Sequence, residues 1–170
     1  MIITKSFTSI IGENPKVLIL GTLPSKKSLE LQQYYGHPRN SFWRILFTLF
    51  DNTFSSNYHT KKLLAIEHNI AIWDVCYTAI RKGSLDSAIK DEIPNKIDEL
   101  IEYNPSINTI AFNGQKAARL YDKYFSKFDN INYITLLSTS PANAKYSFEE
   151  KLKDWNQIKK IIDTNYISNI

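Results

Sequence analysis

The chain is poor in the residues that build the commonest metal, disulfide and phosphate-binding sites. It has 170 residues but one cysteine, three histidines and five glycines. A single cysteine, Cys76, excludes an internal disulfide framework and leaves too few thiols for an iron–sulfur cluster. Three scattered histidines argue against a zinc site. We therefore expect no structural metal and no cofactor.

Several nucleotide-binding and hydrolase motifs are also missing. No G-x-G-x-x-G follows the first apolar run, and no G-x-x-x-x-G-K-[ST] or nucleophile elbow occurs anywhere. The hydroxyls of Ser138, Thr139 and Ser140 could act as nucleophiles, but no histidine stands nearby in the sequence to activate them. These absences argue against a phosphate-cradling glycine loop and against a serine hydrolase.

No apolar run approaches the roughly 18 residues of a membrane helix, and the N-terminal MIITKSFTSI lacks the apolar core of a signal peptide. We expect a soluble, cytoplasmic protein that does not enter a membrane. The net charge of +4 and the pI near 9.0 are compatible with nucleic-acid binding but do not establish it.

Four short apolar runs predict strands that are buried on both faces, because they are nearly continuous and rich in β-branched residues. They span 16–22, 69–75, 108–114 and 132–140. Helical patterns lie between them, and a final one covers 148–163. Alternation of strands and helices predicts one α/β domain over 1–170, a three-layer α/β/α sandwich around a four-stranded parallel sheet.

Polar segments follow these strands, at the edge where ligands bind in parallel sheets. GTLPS (21–25) follows the first strand, Asp74 lies at the end of the second, Asn113 ends the third, and STSPANA (138–144) follows the fourth. We expect the four segments to meet at one mouth, with Asn113 shaping the turn after its strand. The aromatic stretch YYGHPRNSFW (34–43) lies between the first strand and the next helix.

These segments resemble the uracil-DNA glycosylase superfamily, and within it the hypoxanthine-DNA (deoxyinosine) glycosylase family. The resemblance rests on GTLPSKKSLELQQYYGHPRNSFW, IAIWDVCYTAIRKGSLDSAI, IAFNGQKA and STSPANA, which cover about residues 16–155 in the same order. It implies a monofunctional enzyme that excises a deaminated base from double-stranded DNA and leaves an abasic site. An enzyme of this size would work as a monomer.

An enzyme that acts on a base must flip it from the duplex and hold its face and edge. By resemblance, Tyr35 stacks on the flipped base; the alternative is that Tyr34 and Tyr35 only cover the core. The resemblance also places Gly21, Thr22 and Leu23 around the base. His37 is either a donor to the departing base or a brace for the GHPRN turn.

Asn40 matches the family's catalytic asparagine. Other members of the superfamily carry a polar residue where this chain has Leu23, so water placement falls to Asn40. An amide cannot act as a strong base, but its carbonyl oxygen can orient a water molecule. The alternative is that Asn40 caps the following helix.

Asp74 could read the base edge, because a carboxylate accepts a hydrogen bond from N1–H of hypoxanthine or N3–H of uracil. It could instead be the general base, or a buried aspartate that holds backbone amides of the next turn.

The resemblance makes STSPANA the loop that clamps DNA phosphates. Ser138 stands where better-known relatives have a histidine that stabilises the departing base, which puts strong activity on uracil in doubt. Arg81 and Lys82 are further candidates for contacts with the DNA backbone. The predicted DNA-binding residues are Ser25, Ser138, Thr139, Ser140, Pro141, Ala142, Asn143 and Lys145.

Three other functions stay open. The first is excision of uracil or mismatched bases, and the second is a non-catalytic module that binds damaged DNA. The third is a hydrolase or transferase for free nucleotides, which would need a carboxylate cluster for Mg²⁺ or a basic phosphate pocket. Neither feature is found near the strand ends.

Overall fold

The computed structural model describes residues 3–82, 85 and 88–167, with the backbone alone for 165–167. Its strands and helices, in chain order, are β1 (Ile3–Lys5), β2 (Val17–Gly21), α1 (Lys26–Leu31), α2 (Phe42–Leu49), α3 (Tyr58–Glu67), β3 (Ile70–Asp74), β4 (Cys76–Arg81), β5 (Ile89–Pro94), α4 (Ile97–Tyr103), β6 (Thr109–Asn113), α5 (Gln115–Tyr124), β7 (Asn132–Leu136) and α6 (Phe148–Ile167).

A parallel sheet of four strands, in the order β3-β2-β6-β7, forms the centre of the molecule. Gly21 at the end of β2 pairs with Asp74 at the end of β3, and Asn113 at the end of β6 pairs with Leu136 of β7. The carboxyl ends of the four strands therefore lie along one edge, and the polar segments that follow them start from the same side.

Side chains of β2 alternate between two hydrophobic cores. Val17 and Ile19 pack with α2, α3 and α6 on one face of the sheet. Leu18 and Leu20 pack with α4, α5 and the antiparallel strands on the other face. Because both faces are covered, every position of β2 is buried, which explains its continuous apolar sequence.

The predicted four-stranded parallel sheet and its flanking helices are confirmed. In α6, Trp155 and Ile158 are fully buried, as the helical spacing indicated. The last strand is shorter than predicted: it ends at Leu136, and residues 137–140 are irregular.

A second sheet was not predicted. It is antiparallel, with the order β1-β4-β5, and it is separate from the parallel sheet. Strands β4 and β5 follow β3 in the chain, whereas β1 is the first strand of all. Its central strand β4 is buried at Cys76, Ala79 and Arg81 and more exposed between them, and its pairing with β5 shifts register near Thr78. The short β1 and the charged β5 carry little apolar signal, and pairing with β4 decides their structure.

Within the described residues, no helix combines the length and apolar character needed to cross a membrane. The same residues contain no group of three or more His, Cys, Asp or Glu side chains placed to hold a metal ion.

Candidate functional site

A cavity of about 80 Å³ opens where the strands of the parallel sheet end. It is formed by segments that are far apart in the sequence: the end of β2 and the loop after it, the YYGHPRN stretch, the ends of β3 and β6, and the start of STSPANA. Its lining residues are Gly21, Thr22, Leu23, Pro24, Ser25, Ser28, Tyr34, Tyr35, Asn40, Asp74, Asn113, Ser138, Thr139 and Ser140.

The GTLPS loop is held in place from two sides. Pairing with the β3 side continues beyond the strand, because Val75 N donates to Gly21 O at 2.9 Å and Cys76 N donates to Thr22 O at 3.1 Å. At the other end of the loop, Ser25 caps α1 by accepting from Ser28 N. The predicted DNA contact Ser25 thus also has a structural task.

Gly21 allows two polar groups to approach the backbone closely. A Cβ at this position would lie 2.8 Å from Oδ1 of Asp74 and 2.9 Å from the hydroxyl of Tyr35. Those distances are too short for a methyl group. A side chain at position 21 would therefore displace a group that lines the cavity.

Asp74 lies at the floor of the cavity with only 3% of its surface exposed. Ser6 Oγ donates to its Oδ2 at 3.0 Å. The side chain of Asn95 donates to the Asp74 main-chain oxygen at 2.9 Å. The remaining carboxylate oxygen, Oδ1, is the one that faces Gly21.

The two tyrosines of YYGHPRN have different environments. Tyr34 is buried, and its hydroxyl donates to Phe7 O at 3.1 Å. Burial, with the nearby negative charge of Asp74, raises the pKa of Tyr34 far above its usual range, so this phenol stays neutral. Tyr34 belongs to the core, although it also borders the cavity.

Tyr35 forms the aromatic wall of the cavity. One face of its ring stacks on Phe42, with ring centroids 3.8 Å apart and planes 19° from parallel. Only the opposite face can meet a ligand. The backbone of Tyr35 has a φ angle of 53°, which is unusual for a residue with a bulky side chain. Strained backbone angles of this kind are found most often at functional sites.

Asn40 borders the cavity at the start of α2. Its Oδ1 accepts a hydrogen bond from Phe42 N, the first N–H of α2, at 3.0 Å. The N-cap position itself is Ser41, so the asparagine caps the helix from one residue earlier. A carbonyl oxygen has two lone pairs, and the cap occupies one of them. The capping bond also fixes the orientation of the amide.

His37 braces the turn before Asn40. Its Nδ1 accepts from Arg39 N at 3.1 Å, and its main-chain oxygen accepts from Asn40 N at 2.8 Å. The imidazole does not line the cavity. The structure therefore agrees with the bracing alternative and places no His37 donor at the candidate base site.

The start of the STSPANA loop is pinned to β6. Asn113 Nδ2 donates to Thr139 Oγ1, and Thr139 N donates to Asn113 Oδ1, both at 2.9 Å. Ser41 N adds a 3.1 Å bond to Thr139 O and so ties the loop to α2. As predicted, Asn113 shapes the region after its strand.

The rest of the loop forms a compact turn. Asn143 N donates to Ser140 O at 3.0 Å, and the Asn143 side chain donates to Ser138 O at 3.0 Å. Ala142 N donates to Ser140 Oγ at 3.2 Å. Pro141, Ala142, Asn143 and Lys145 lie outside the cavity, and Lys145 is exposed with its ammonium over the ring of Tyr146.

Two expected DNA contacts are placed inside the protein. Thr139 borders the cavity but is fully buried, and its hydroxyl accepts from Asn113, so it braces the loop. Arg81 is also buried, and its guanidinium donates to the carbonyl oxygens of Leu23 and Pro24. It supports the GTLPS loop from behind. Of the RKGSLDSAI segment, residues 83, 84, 86 and 87 lie outside the described part of the chain.

Sequence reasoning missed Ser6 and Ser28. Ser28 Oγ accepts from Gly36 N at 3.1 Å and thereby joins α1 to the YYGHPRN stretch. Ser6 reaches Asp74 from the N-terminal segment. Serines are common on surfaces, and nothing in the local sequence of either one signals its long-range partner.

Comparisons with known proteins agree with this geometry. The model of the Uracil DNA glycosylase superfamily matches residues 9–159. A Hypoxanthine DNA glycosylase of Methanosarcina acetivorans is 37% identical over 92% of this chain and 98% of its own length. One from Methanosarcina barkeri is 35% identical over the same shares.

A solved structure shows the same fold. It is the solution NMR structure of a candidate uracil DNA glycosylase from Methanosarcina acetivorans, with a TM-score of 0.75 and 33% identity. The match covers 93% of this chain and 99% of that one. The family model, the relatives and the shared fold all extend across nearly the whole chain, which therefore belongs to the uracil-DNA glycosylase superfamily.

Proposed function

We propose that the protein is a monofunctional DNA glycosylase that flips hypoxanthine out of deoxyinosine in double-stranded DNA and hydrolyses its glycosidic bond. The observation that carries the proposal is one cavity bordered by Tyr35, Asn40 and Asp74, which come from separate segments of the chain. The two relatives named hypoxanthine DNA glycosylases, which match over nearly their whole length, support the choice of base.

In this mechanism Tyr35 and Asp74 hold the flipped base. The ring face of Tyr35 opposite Phe42 stacks on the purine, and such stacking contributes about 1–3 kcal/mol per base. Asp74 accepts a hydrogen bond from N1–H of hypoxanthine. Adenine presents a lone pair at N1, which a carboxylate repels, so Asp74 discriminates against the normal base.

Asn40 positions the water. Breaking the bond between C1′ and the base leaves oxocarbenium character on the sugar, and the bonding electron pair departs with the base. The water oxygen adds to C1′ and keeps one hydrogen as the new hydroxyl, and the one proton it releases passes, directly or through solvent, to the departing base. The amide orients this water through its second lone pair, while the cap to Phe42 N keeps the amide still.

The DNA strand lies across the STSPANA loop. Ser138 and Ser140 border the cavity and offer hydroxyls or main-chain groups to phosphates near the flipped nucleotide. Pro141 stiffens the turn. Lys145 and Lys82 are exposed, and we expect their charges to meet the DNA backbone. One chain supplies the whole site, so we expect the enzyme to act as a monomer.

A gel-based excision assay tests the proposal. Duplexes that contain deoxyinosine, deoxyuridine, a mismatch or no lesion are incubated with the protein, and abasic sites are then cleaved by alkali. We expect deoxyinosine to be the preferred substrate, with no strand break before alkali treatment. If every duplex stays uncut after alkali treatment but the damaged duplexes are bound tightly, the protein is instead a non-catalytic module that binds damaged DNA.

Borohydride trapping distinguishes a monofunctional glycosylase from one that forms a covalent intermediate with the sugar. A covalent intermediate would need a lysine amine at C1′, and among the described residues no lysine lines the cavity. We therefore expect no trapped protein–DNA adduct. Adduct formation in high yield would contradict the monofunctional mechanism.

Excision of uracil is the second candidate. Uracil presents N3–H beside a carbonyl oxygen, the same donor–acceptor pattern that hypoxanthine presents to Asp74. The superfamily and the solved relative also carry uracil in their names. A rate on deoxyuridine that equals or exceeds the rate on deoxyinosine would favour this candidate.

A further inference from the structure

Lys151 is a buried lysine in α6. Only 6% of its surface is exposed. Its Nζ lies 3.5 Å from the carbonyl oxygen of Ser140, at the outer limit of a hydrogen bond. Burial lowers the pKa of this ammonium below the ordinary value for lysine.

Among the described residues, no carboxylate pairs with Lys151. Asp154, one turn further along α6, accepts from Leu137 N at 2.7 Å. Glu150 accepts from Ser147 N at 2.7 Å within the helix cap. By contrast, the less buried Lys159 pairs with Asp51 at 3.0 Å. A buried charge without a counter-ion costs free energy in the isolated protein.

The ammonium lies next to the STSPANA turn. The same Ser140 oxygen that faces Lys151 accepts from Asn143 N and closes the turn. Ser140 also borders the cavity, whereas Lys151 does not. The charge is therefore next to the loop and close to the candidate base site, without lining it.

Bracing a carbonyl oxygen does not require a charge. A neutral amide donor would make the same hydrogen bond without the desolvation cost of an ammonium. What a neutral donor cannot provide is positive potential at the surface of the turn. An ammonium has three N–H donors, and Ser140 engages one of them.

We propose that Lys151 is a positioning residue for DNA, whose ammonium braces the turn at Ser140 and provides the charge against which one phosphate of the damaged strand docks. This inference rests on the proposed function, because a phosphate is what compensates the buried charge. DNA binding and counter-ion pairing then occur in one step. The cost of burying Lys151 in the free protein is offset in the complex.

The test compares Lys151→Met with Lys153→Met in the full-length protein. Methionine keeps the apolar stem and removes the charge, and Lys153 is an exposed lysine on the same helix. We expect Lys151→Met to bind the deoxyinosine duplex roughly tenfold more weakly, the scale of one charge-assisted contact. The slope of log K against log salt should become shallower by about 1.

Lys153→Met should leave both the affinity for the deoxyinosine duplex and the salt slope close to wild type. The single-turnover excision rate at saturating enzyme should change little in either variant, because neither side chain borders the cavity. Thermal stability of Lys151→Met should equal or exceed wild type, since removing an unpaired buried charge relieves a cost. A merely structural lysine would give the opposite pattern: a lower melting temperature and an unchanged salt slope.

Lys151→Gln is the second variant, in case methionine disturbs the turn. Glutamine keeps a polar N–H donor but carries no charge, and its side chain is one atom shorter than that of lysine. We expect it to keep the fold and to show the same reduced salt slope as Lys151→Met. A wild-type slope with glutamine would overturn the proposal.

Methylphosphonate substitution identifies the partner. One phosphate at a time near the deoxyinosine is made neutral, and binding of wild type and Lys151→Met is compared. When the phosphate that pairs with Lys151 is neutral, wild type and Lys151→Met should bind the duplex equally well. Such non-additivity is expected when two groups are in direct contact. If the difference persists at every position, no phosphate pairs with Lys151.

These results also separate this inference from the proposed function. If deoxyinosine is excised but the salt slope does not depend on Lys151, the proposed function stands and this inference fails. If the slope depends on Lys151 but no base is released, the proposed excision fails, and the phosphate contact remains.

Discussion

Ser6 Oγ donates a 3.0 Å hydrogen bond to Oδ2 of Asp74, although the two residues are 68 positions apart. The bond joins the segment after β1 to the end of β3 at the floor of the cavity. It engages one carboxylate oxygen and leaves the other facing Gly21. The antiparallel sheet thereby orients the group that we propose reads the base.

Loss of this bond should weaken excision without unfolding the protein. In Ser6→Ala, Asp74 keeps its charge but loses a partner, and a hydrogen bond to a charged group is worth about 1.5–3 kcal/mol. We expect single-turnover excision of hypoxanthine to fall roughly tenfold, with a modest drop in melting temperature. Ser9→Ala, in the same segment but outside the cavity, should retain wild-type activity. Equal rates for all three proteins would show that Asp74 needs no support from Ser6.

Asn40→Ala should separate catalysis from capping. If the amide places water, single-turnover excision of hypoxanthine should fall by roughly 10²–10³, while binding to the deoxyinosine duplex stays near wild type. The lost cap to Phe42 N should also cost about 1 kcal/mol of stability.

Asn57→Ala is the matched control for that loss. Asn57 caps α3 by accepting from Thr60 N, and it lies outside the cavity. We expect a similar loss of stability and no loss of rate. An Asn40→Ala protein that loses only stability would make Asn40 a cap alone, and the search for the catalytic group would turn to Asp74.

Gly21→Ala should damage the site more than the fold. The added methyl group would approach Asp74 Oδ1 and the Tyr35 hydroxyl to below 3 Å, so one or both must move. We expect at least a tenfold loss in kcat/KM on deoxyinosine duplex, the usual sensitivity to small displacements in a catalytic site.

Gly12→Ala provides the comparison. Its Cβ would lie 2.7 Å from the Ile66 side chain, a similar crowding away from the cavity. It should lower the melting temperature and leave kcat/KM unchanged. Similar activity losses in both variants would mean that general destabilisation explains the effect.

The pH dependence of stability should report the burial of Lys151. Its pKa is lowered in the folded protein, so the folded state binds this proton less tightly than the unfolded state. The resulting destabilisation is present below the folded pKa and is lost as pH rises towards the ordinary value of 10.5. The stability advantage of Lys151→Met over wild type should therefore shrink between neutral and alkaline pH in urea unfolding. A difference that does not change with pH would show that the ammonium is well solvated.

Local patterns were sufficient for the parallel sheet and most helices, because β2, β3 and β6 are buried almost throughout and helices such as α2 and α5 have one apolar face. The same reasoning grouped Gly21, Asp74 and Ser138 at one edge, since the carboxyl ends of parallel strands coincide. It did not reveal the second sheet. One partner of β4, the strand β1, comes from a distant part of the chain, and both β1 and the neighbouring β5 have weak strand patterns of their own.

The sequence by itself determined the fold class, the superfamily and the set of segments that meet at the mouth of the sheet. Only the tertiary structure decided which polar groups in those segments face the cavity and which are used internally. Thr139 and Arg81 carry donors typical of DNA contacts, yet both are buried and bind the loops from within. The physical reason is that residue type sets the hydrogen bonds a group can form, whereas long-range packing selects its partner.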